Sequence, residues 1–169
     1  MPTTTFEHLA PAKRARITTA LLTEFSAHPL ADAQVARIVK EADIARGAFY
    51  KYFADLTDAY QYLYAIAMTA VHHDVPTAIQ AYDATAFYTA VVHFVDHATA
   101  SRYDALIQRH FTQNEGLLPA TPGVSPQIPA SVWAAMVLSH ATIKEIMQHP
   151  DQRTTSLARL RAALTALVG

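Results

Sequence analysis

The amino-acid sequence predicts an all-α protein, and three observations lead to that fold class. Apolar residues recur at helical spacing along most of the 169-residue chain. Sustained alternation of apolar and polar residues, the pattern of a strand, does not occur, and no glycine-containing hairpin turn joins two apolar runs. With 51% apolar and 16% charged residues, the chain is long and apolar enough to bury a core rather than remain disordered.

The first two predicted helices lie on either side of a proline. One covers about 11–27, begins with Pro11 and ends at the residue before Pro29, because that position is pushed out of helical geometry. The next covers about 33–42, and Asp32 is placed to cap its N-terminus. The residues that these helices are expected to bury are Ile17, Leu21, Phe25, Val35, Ile38, Val39 and Ala42.

A third, short helix follows a turn at residues 43–45, within the stretch ADIARGAFYKYF. Phe49 and Phe53 lie four residues apart and are expected to point inward, whereas Gly47 and Lys51 point nearly opposite. The residues that flank this outward face are Tyr50 and Tyr52. A helix that buries two phenyl rings and presents phenols and a lysine suits a phosphate backbone and a groove.

The remaining helices are predicted from their ends as much as from their periodicity. Asp55 is expected to cap a long helix at about 55–73, which Pro76 stops. The proline-rich segment 115–129 is predicted to be a loop. The other predicted helices lie at about 84–99, 102–114, 130–148 and 153–168.

Composition excludes several classes of function. Cysteine is absent, which excludes disulfides and thiolate metal sites. No glycine-rich phosphate loop or serine-nucleophile motif occurs, so we predict no enzyme activity, catalytic residue or cofactor. No apolar run reaches the roughly 18–20 residues of a membrane span, and we expect a cytoplasmic protein with no membrane partner. The net charge of residues 1–53 is +2 and that of the remainder is −3, which permits DNA binding by the first part.

A specific motif lies around the third helix. Ile38, Ile44, Arg46, Gly47, Tyr50, Tyr52 and Phe53 stand in an order and spacing through which residues 13–60 resemble the N-terminal domain of TetR-family transcriptional regulators. The resemblance implies a three-helix, helix-turn-helix DNA-binding domain at 1–54 and a helical ligand-binding and dimerisation domain at 55–169. It also implies a repressor that binds a palindromic double-stranded DNA operator as a homodimer and leaves it when a small apolar or aromatic effector binds.

The resemblance and the outward face of the third helix indicate the DNA contacts. Lys51, Tyr50 and Tyr52 are expected on the phosphates, and Arg46 is the best candidate for a base contact. The full candidate set is Lys13, Arg14, Gln34, Arg37, Arg46, Gly47, Ala48, Tyr50, Lys51 and Tyr52.

Two further interpretations stay open. Family members usually carry Ser at 45, Thr at 48 and Lys at 56, and the loss of these groups at Ala45, Ala48 and Leu56 favours an interaction protein with little operator specificity. His93 and His97, four residues apart on a predicted helix, have the spacing of a metal-ligand pair and suggest a metal sensor. A third ligand is not evident near them, so no metal site is predicted.

The part of the chain after residue 54 supplies an effector pocket and a dimer interface in the predicted architecture. Aromatic walls with a few polar tips favour a neutral or weakly polar effector, and the candidates are Tyr64, Ala67, Phe94, Tyr103, His110, Phe111, Trp133, Met136 and His140. Apolar stripes on the last two helices are typical of a core and also of the family's interface. The expected interface residues are Ala135, Ser139, Ile143, Leu157, Leu160 and Leu164.

Overall fold

The computed structural model describes residues 2–72, 82–119 and 127–167, and within these ranges it contains helices and turns but no strand. The predicted all-α fold is therefore confirmed for these residues. None of their helices is both long enough and apolar enough to cross a membrane. The α-helices are α1 Thr4–Glu7, α2 Pro11–Ala27, α3 Val35–Glu41, α4 Arg46–Tyr52, α5 Leu56–Val71, α6 Ala84–Ala100, α7 Asp104–Arg109, α8 Ala130–Gln148 and α9 Arg153–Ala166.

Contacts divide the chain into two compact units. The first unit comprises Met1–Ala70 and Arg102–Leu118, and the second comprises Val71–Ser101 and Pro119–Gly169. Helix α7 therefore belongs to the same unit as the N-terminal helices, although 31 residues of the second unit, Val71–Ser101, precede it. The functional division after residue 54 is a separate matter and stays a prediction.

Helix α2 has the bounds that the sequence predicts. Pro11 occupies its first turn, and the extended backbone of His28 ends it before Pro29. Its inward face holds Ile17 and Leu21, and both side chains are fully buried in the core of the first unit.

Helix α3 differs from the prediction at its N-terminus. Asp32 lies in a 3₁₀ turn, Leu30–Asp32, and α3 begins two residues later than expected, after Gln34. The backbone N–H of Gln34 donates instead to the carboxylate of Glu24 on α2, at 2.8 Å. The expectation that Asp32 caps this helix is wrong, because a buried carboxylate from another helix satisfies the exposed N–H group.

Helix α5 begins with the cap that the sequence predicts. The side chain of Asp55 accepts a hydrogen bond from the N–H of Asp58 at 2.7 Å. The side chain of Asp58 accepts one from the N–H of Ala54 at 3.1 Å, which makes a reciprocal capping arrangement. The predicted end of this helix, His73 to Pro76, lies outside the described residues.

The chain around α7 is less regular than predicted. The single helix expected at 102–114 is instead α7 followed by a π-helical turn, His110–Asn114, and a 3₁₀ turn, Glu115–Leu117. The π-turn directs His110, Phe111 and Asn114 into the first unit. Residues 120–126 of the predicted loop lie outside the described residues.

The second unit is built from α6, α8 and α9, which pack on one another in pairs. Asp83 caps α6 by accepting a hydrogen bond from the N–H of Ala86 at 3.0 Å. An ion pair of Arg153 with Asp96, at 2.6 Å, joins α9 to α6. The side chains that form the core of this unit are Phe87, Val91, Phe94, Val95, Ala98, Val132, Ala135, Ile146, Met147, Leu157, Leu160 and Leu164.

Candidate nucleic-acid interface

The turn between α3 and α4 has the geometry of a helix-turn-helix. The backbone of Asp43 has φ 48°, the left-handed conformation that glycine adopts most readily and that aspartate tolerates better than most residues. This left-handed residue lets the chain turn between α3 and α4. The N–H of Ile44 then bonds the carbonyl of Val39 at 3.1 Å, and α4 begins at Arg46.

Helix α4 separates a buried face from an exposed one, as its sequence predicts. Phe49 and Phe53 are fully buried with ring centroids 5.5 Å apart. Arg46 and Lys51 are exposed, and Tyr50 is 51% exposed. Two cations and a phenol thus stand on the surface of a helix whose position is fixed by its phenyl rings.

Tyr52 lies on the buried side, which corrects the expectation that both tyrosines flank the outward face. It is 5% exposed, and its ring packs edge-on against Phe6 of α1 at 5.8 Å. Helix α1 was not predicted, because four residues carry no usable periodicity. Thr3 next to α1 binds the end of α4, since its N–H donates to the Tyr52 carbonyl at 2.9 Å and its hydroxyl to the Lys51 carbonyl at 2.7 Å.

Gly47 stands on the exposed face, and no internal packing requires a glycine there. A Cβ atom at this position would meet no other group within 4 Å. Its φ is not positive either, so the backbone conformation does not require glycine. The absence of a side chain matters only to something that approaches α4 from outside.

A buried carboxylate holds α3 against α2. Glu24 is almost fully buried and accepts hydrogen bonds from Arg37, the shortest at 2.7 Å, as well as from the Gln34 N–H. Burial alone raises the pKa of Glu24, but the hydrogen bonds from Arg37 and from the Gln34 backbone outweigh it and hold the pKa below its ordinary value. The pairing with Glu24 raises the pKa of Arg37. Arg37, a predicted DNA contact, therefore has an internal role.

The other predicted DNA contacts differ in their exposure. Gln34 is exposed, Ala48 is half-buried, and Lys13 lies 6.0 Å from the ring centroid of Tyr52. Arg14 is half-buried and donates to the carbonyl of Glu7 at 3.1 Å. Lys13 and Arg14 of α2 are thus two half-buried cations in the same unit as α4. Lys40 at the end of α3 is exposed as well and was not among the predicted contacts, although its basic charge next to the turn is a signal that could have pointed to it.

The predicted effector residues fall into both units. Those in the first unit are Tyr64, Ala67, Tyr103, His110 and Phe111, and those in the second are Phe94, Trp133, Met136 and His140. In the first unit the rings of Tyr64 and His110 stack with centroids 3.9 Å apart. In the second unit Phe94 is buried, whereas Trp133, Met136 and His140 are exposed on α8. Their exposure places these three on the surface of their unit and not in its core.

The predicted interface residues prove to lie mostly inside the second unit. Leu157, Leu160, Leu164 and Ala135 are buried within the chain itself, so they have no free surface for a second copy. Ser139 and Ile143 are half-buried. The leucine stripe of α9 is a core stripe, because it packs on α6 and α8.

The histidine pair that suggested a metal sensor has no further ligand in the described ranges. The rings of His93 and His97 are 6.0 Å apart, and Nδ1 of His97 lies 3.3 Å from the Val71 carbonyl. Among the described residues no group of three potential metal ligands comes together.

Comparisons with known proteins agree with this geometry. Residues 12–56 match the sequence model of bacterial regulatory proteins of the tetR family. The fold is similar to that of a TetR family transcriptional regulator from Chloroflexus aurantiacus J-10-FL, at 20% identity and TM-score 0.55, over 99% of this chain and 96% of that one. A TetR transcriptional regulator from Rhodococcus sp. RHA1 is similar at 16% identity and TM-score 0.54, over 93% of this chain and 97% of that one.

No curated protein sequence matches the chain. The two solved structures support the fold, and the match at residues 12–56 covers α2, the helix-turn-helix and the first residue of α5. Residues 12–56 are thus similar to the helix-turn-helix domain of the tetR family, and the described residues share the all-helical fold of these two regulators.

Proposed function

We propose that the protein is a ligand-responsive repressor that binds a palindromic operator as a homodimer. The exposed face of α4 is the observation that carries the proposal. Arg46, Tyr50 and Lys51 stand on it around Gly47, where no side chain would obstruct a phosphate backbone. Arg46 at the start of α4 is placed for base edges, while Lys51 and Tyr50 suit phosphates.

Two substitutions on this face are expected to weaken DNA binding in different ways. Lys51→Ala should weaken binding to all duplexes about equally and reduce the slope of log K against log salt by about one. Arg46→Ala should instead reduce the preference for the operator by about 1–3 kcal/mol, because it removes a base contact. Fluorescence anisotropy at several salt concentrations measures both, with a duplex from upstream of the protein's own gene and an unrelated duplex of equal length.

A matched control is Arg161→Ala, which removes one exposed cation from the second unit. It should bind both duplexes like the parent. If the parent shows no preference for the upstream duplex at any salt concentration, the interaction-protein interpretation replaces the repressor. If both α4 variants bind like the parent, α4 does not contact DNA.

For the dimer we propose an interface on the exposed side of α8. Trp133 is 52% exposed, and Met136 and Val137 are exposed on the same side of this helix. Exposed large apolar side chains in a contiguous stripe mark an interaction surface. A two-fold axis next to α8 would pack this stripe against the same stripe of a second protomer.

Trp133→Glu is expected to give a folded monomer that binds the operator weakly, since one half-site provides only half of the contacts. Light scattering measures the mass, and circular dichroism confirms that the helices remain. Thr112→Glu adds the same charge at an exposed position of the first unit and should stay dimeric. A parent protein that is monomeric at micromolar concentration would refute the dimer.

For the effector response, we propose that the π-turn passes a signal to the DNA-binding helices within the first unit. The hydroxyl of Tyr60 lies 3.1 Å from Nδ1 of His110, and burial raises the pKa of Tyr60 to about 12, so the phenol stays protonated at neutral pH. The side chain of Asn114 accepts the N–H of Leu30 at 2.9 Å, just before α3. An effector that binds the protein more tightly when this turn is shifted would move Asn114. The hydrogen bond between Asn114 and the Leu30 backbone would then pass the shift to the segment before α3.

A further inference from the structure

A cleft in the first unit is lined by residues of α2 and α5 and of the segment before α7, and no α4 residue is among them. Its volume is about 310 Å³, at the lower end of the range for small-molecule sites. All of its lining residues belong to one unit, so its shape does not depend on how the two units are arranged. They are Pro11, Arg14, Ala15, Thr18, Thr19 and Leu22 of α2, Tyr62 of α5, and Arg102 and Tyr103 before α7.

Two guanidinium groups line this cleft, and no carboxylate is among the described residues that line it. Within the described residues neither Arg14 nor Arg102 forms an ion pair with an acidic side chain. Arg14 donates only to the Glu7 carbonyl, and Arg102 lies 5.7 Å from the ring centroid of Tyr103. Two like charges on one small cleft favour an anion.

Two hydroxyl groups of the cleft, those of Thr18 and Tyr62, already donate their protons within the protein. Thr18 donates its proton to the carbonyl of Arg14 at 2.9 Å. Its contact with the Tyr62 hydroxyl, at 3.1 Å, therefore has the phenol as donor, and both of these protons are already used. The arginines are the charged donors of the cleft, and their planar fork matches a carboxylate.

The walls decide what kind of anion fits. Leu22, Ala15 and Pro11 provide aliphatic surface, and Tyr62 and Tyr103 provide aromatic surface. A bare phosphate would leave this surface without a partner, whereas a carboxylate with an apolar body covers it. We propose that the cleft binds a small organic acid, with its carboxylate on Arg14 and Arg102 and its aromatic or aliphatic body against the tyrosines and Leu22. The site shares Arg14 with the predicted DNA contacts but contains no residue of α4, and it does not rest on the proposed operator binding.

Benzoate is a suitable probe, and calorimetric titration of the full chain without DNA is the experiment. The parent should bind benzoate, and Arg102→Gln should bind it about 10- to 100-fold more weakly, the usual effect of losing a hydrogen bond to a charged group. Arg161→Gln, in the second unit, should bind it like the parent. Benzamide has the same ring without the charge and should bind at least tenfold more weakly than benzoate to the parent.

Several results would overturn the proposal. Equal binding of benzamide and benzoate would show that the charge is not recognised, and equal binding by Arg102→Gln would place the acid elsewhere. Inorganic phosphate that binds as tightly as benzoate would show that the apolar walls contribute nothing. Anisotropy with the upstream duplex, without acid, tests whether Arg102 is a phosphate contact: the proposal requires that Arg102→Gln bind this duplex like the parent. A parent that binds benzoate but no duplex would refute the repressor and leave this site intact.

Discussion

Replacing Leu160 with glutamate is expected to unfold the second unit and not to separate a folded dimer. Leu160 is 2% exposed, on the face of α9 that packs on α6 and α8. Truncating a buried leucine to alanine costs about 2–5 kcal/mol, and a carboxylate without a partner adds the cost of burying a charge. Circular dichroism should show a loss of helix content, and limited proteolysis should cleave the second unit.

Ala162→Glu is the matched control, because it puts the same charge on the exposed side of α9. This variant should keep its helix content and melt close to the parent. If the Leu160→Glu protein is folded and monomeric, the leucine stripe of α9 belongs to the dimer interface and not to the core of the second unit.

The substitution Glu24→Gln is expected to weaken both the stability of the first unit and its binding to DNA. The variant leaves Arg37 without its charge partner, and we expect a loss of about 1–3 kcal/mol in the free energy of unfolding at neutral pH. Since Glu24 also holds the Gln34 N–H at the start of α3, operator affinity should fall as α3 loses its fixed position. Urea unfolding and anisotropy measure the two effects.

The pH dependence gives an independent check on the same pair. The pKa of Glu24 is lowered in the folded chain, so the unfolded state binds more protons. The stabilisation is fully present above the unfolded pKa, about 4.3, and is lost as the pH falls through the lower folded pKa. The parent should therefore lose more stability than Glu24→Gln between neutral pH and about pH 3. Parallel curves for the two proteins would contradict the ion pair as a source of stability.

Helix ends of local origin could be predicted from the sequence. Pro11 and Pro29 delimit α2, and Pro129 and Pro150 delimit α8, because proline acts on its own residue and the preceding one. The inward and outward faces of α4 followed from the spacing of its phenylalanines for the same reason. Such features can be predicted because each depends on only a few residues that are neighbours in the sequence.

Features that depend on distant partners could not be predicted. The N–H group of Gln34 at the start of α3 binds Glu24, which lies ten residues earlier on α2. This partner cannot be identified from the sequence, because the contact forms only when α2 and α3 pack together. Tyr52 is buried by Phe6, which lies in a helix too short to show a period. The stripe with Leu160 showed that one side of α9 is buried, but periodicity does not tell whether the covering helix comes from the same chain.

The first unit consists of two segments that are far apart in the sequence, and this delays its folding during synthesis on the ribosome. Leu106 belongs to the same hydrophobic core as Phe25 and Tyr60, and Asn114 holds the backbone of Leu30. While the ribosome is still adding α6, the DNA-binding helices have emerged without the segment that completes their core. At roughly 5–20 residues per second, the interval between residues 70 and 118 lasts about 2–10 seconds. During this time the core around Phe25 and Tyr60 lacks Leu106, and the surface that Leu106 covers is open to chaperones. The DNA-binding part is translated first, but it is finished only after the second unit has begun.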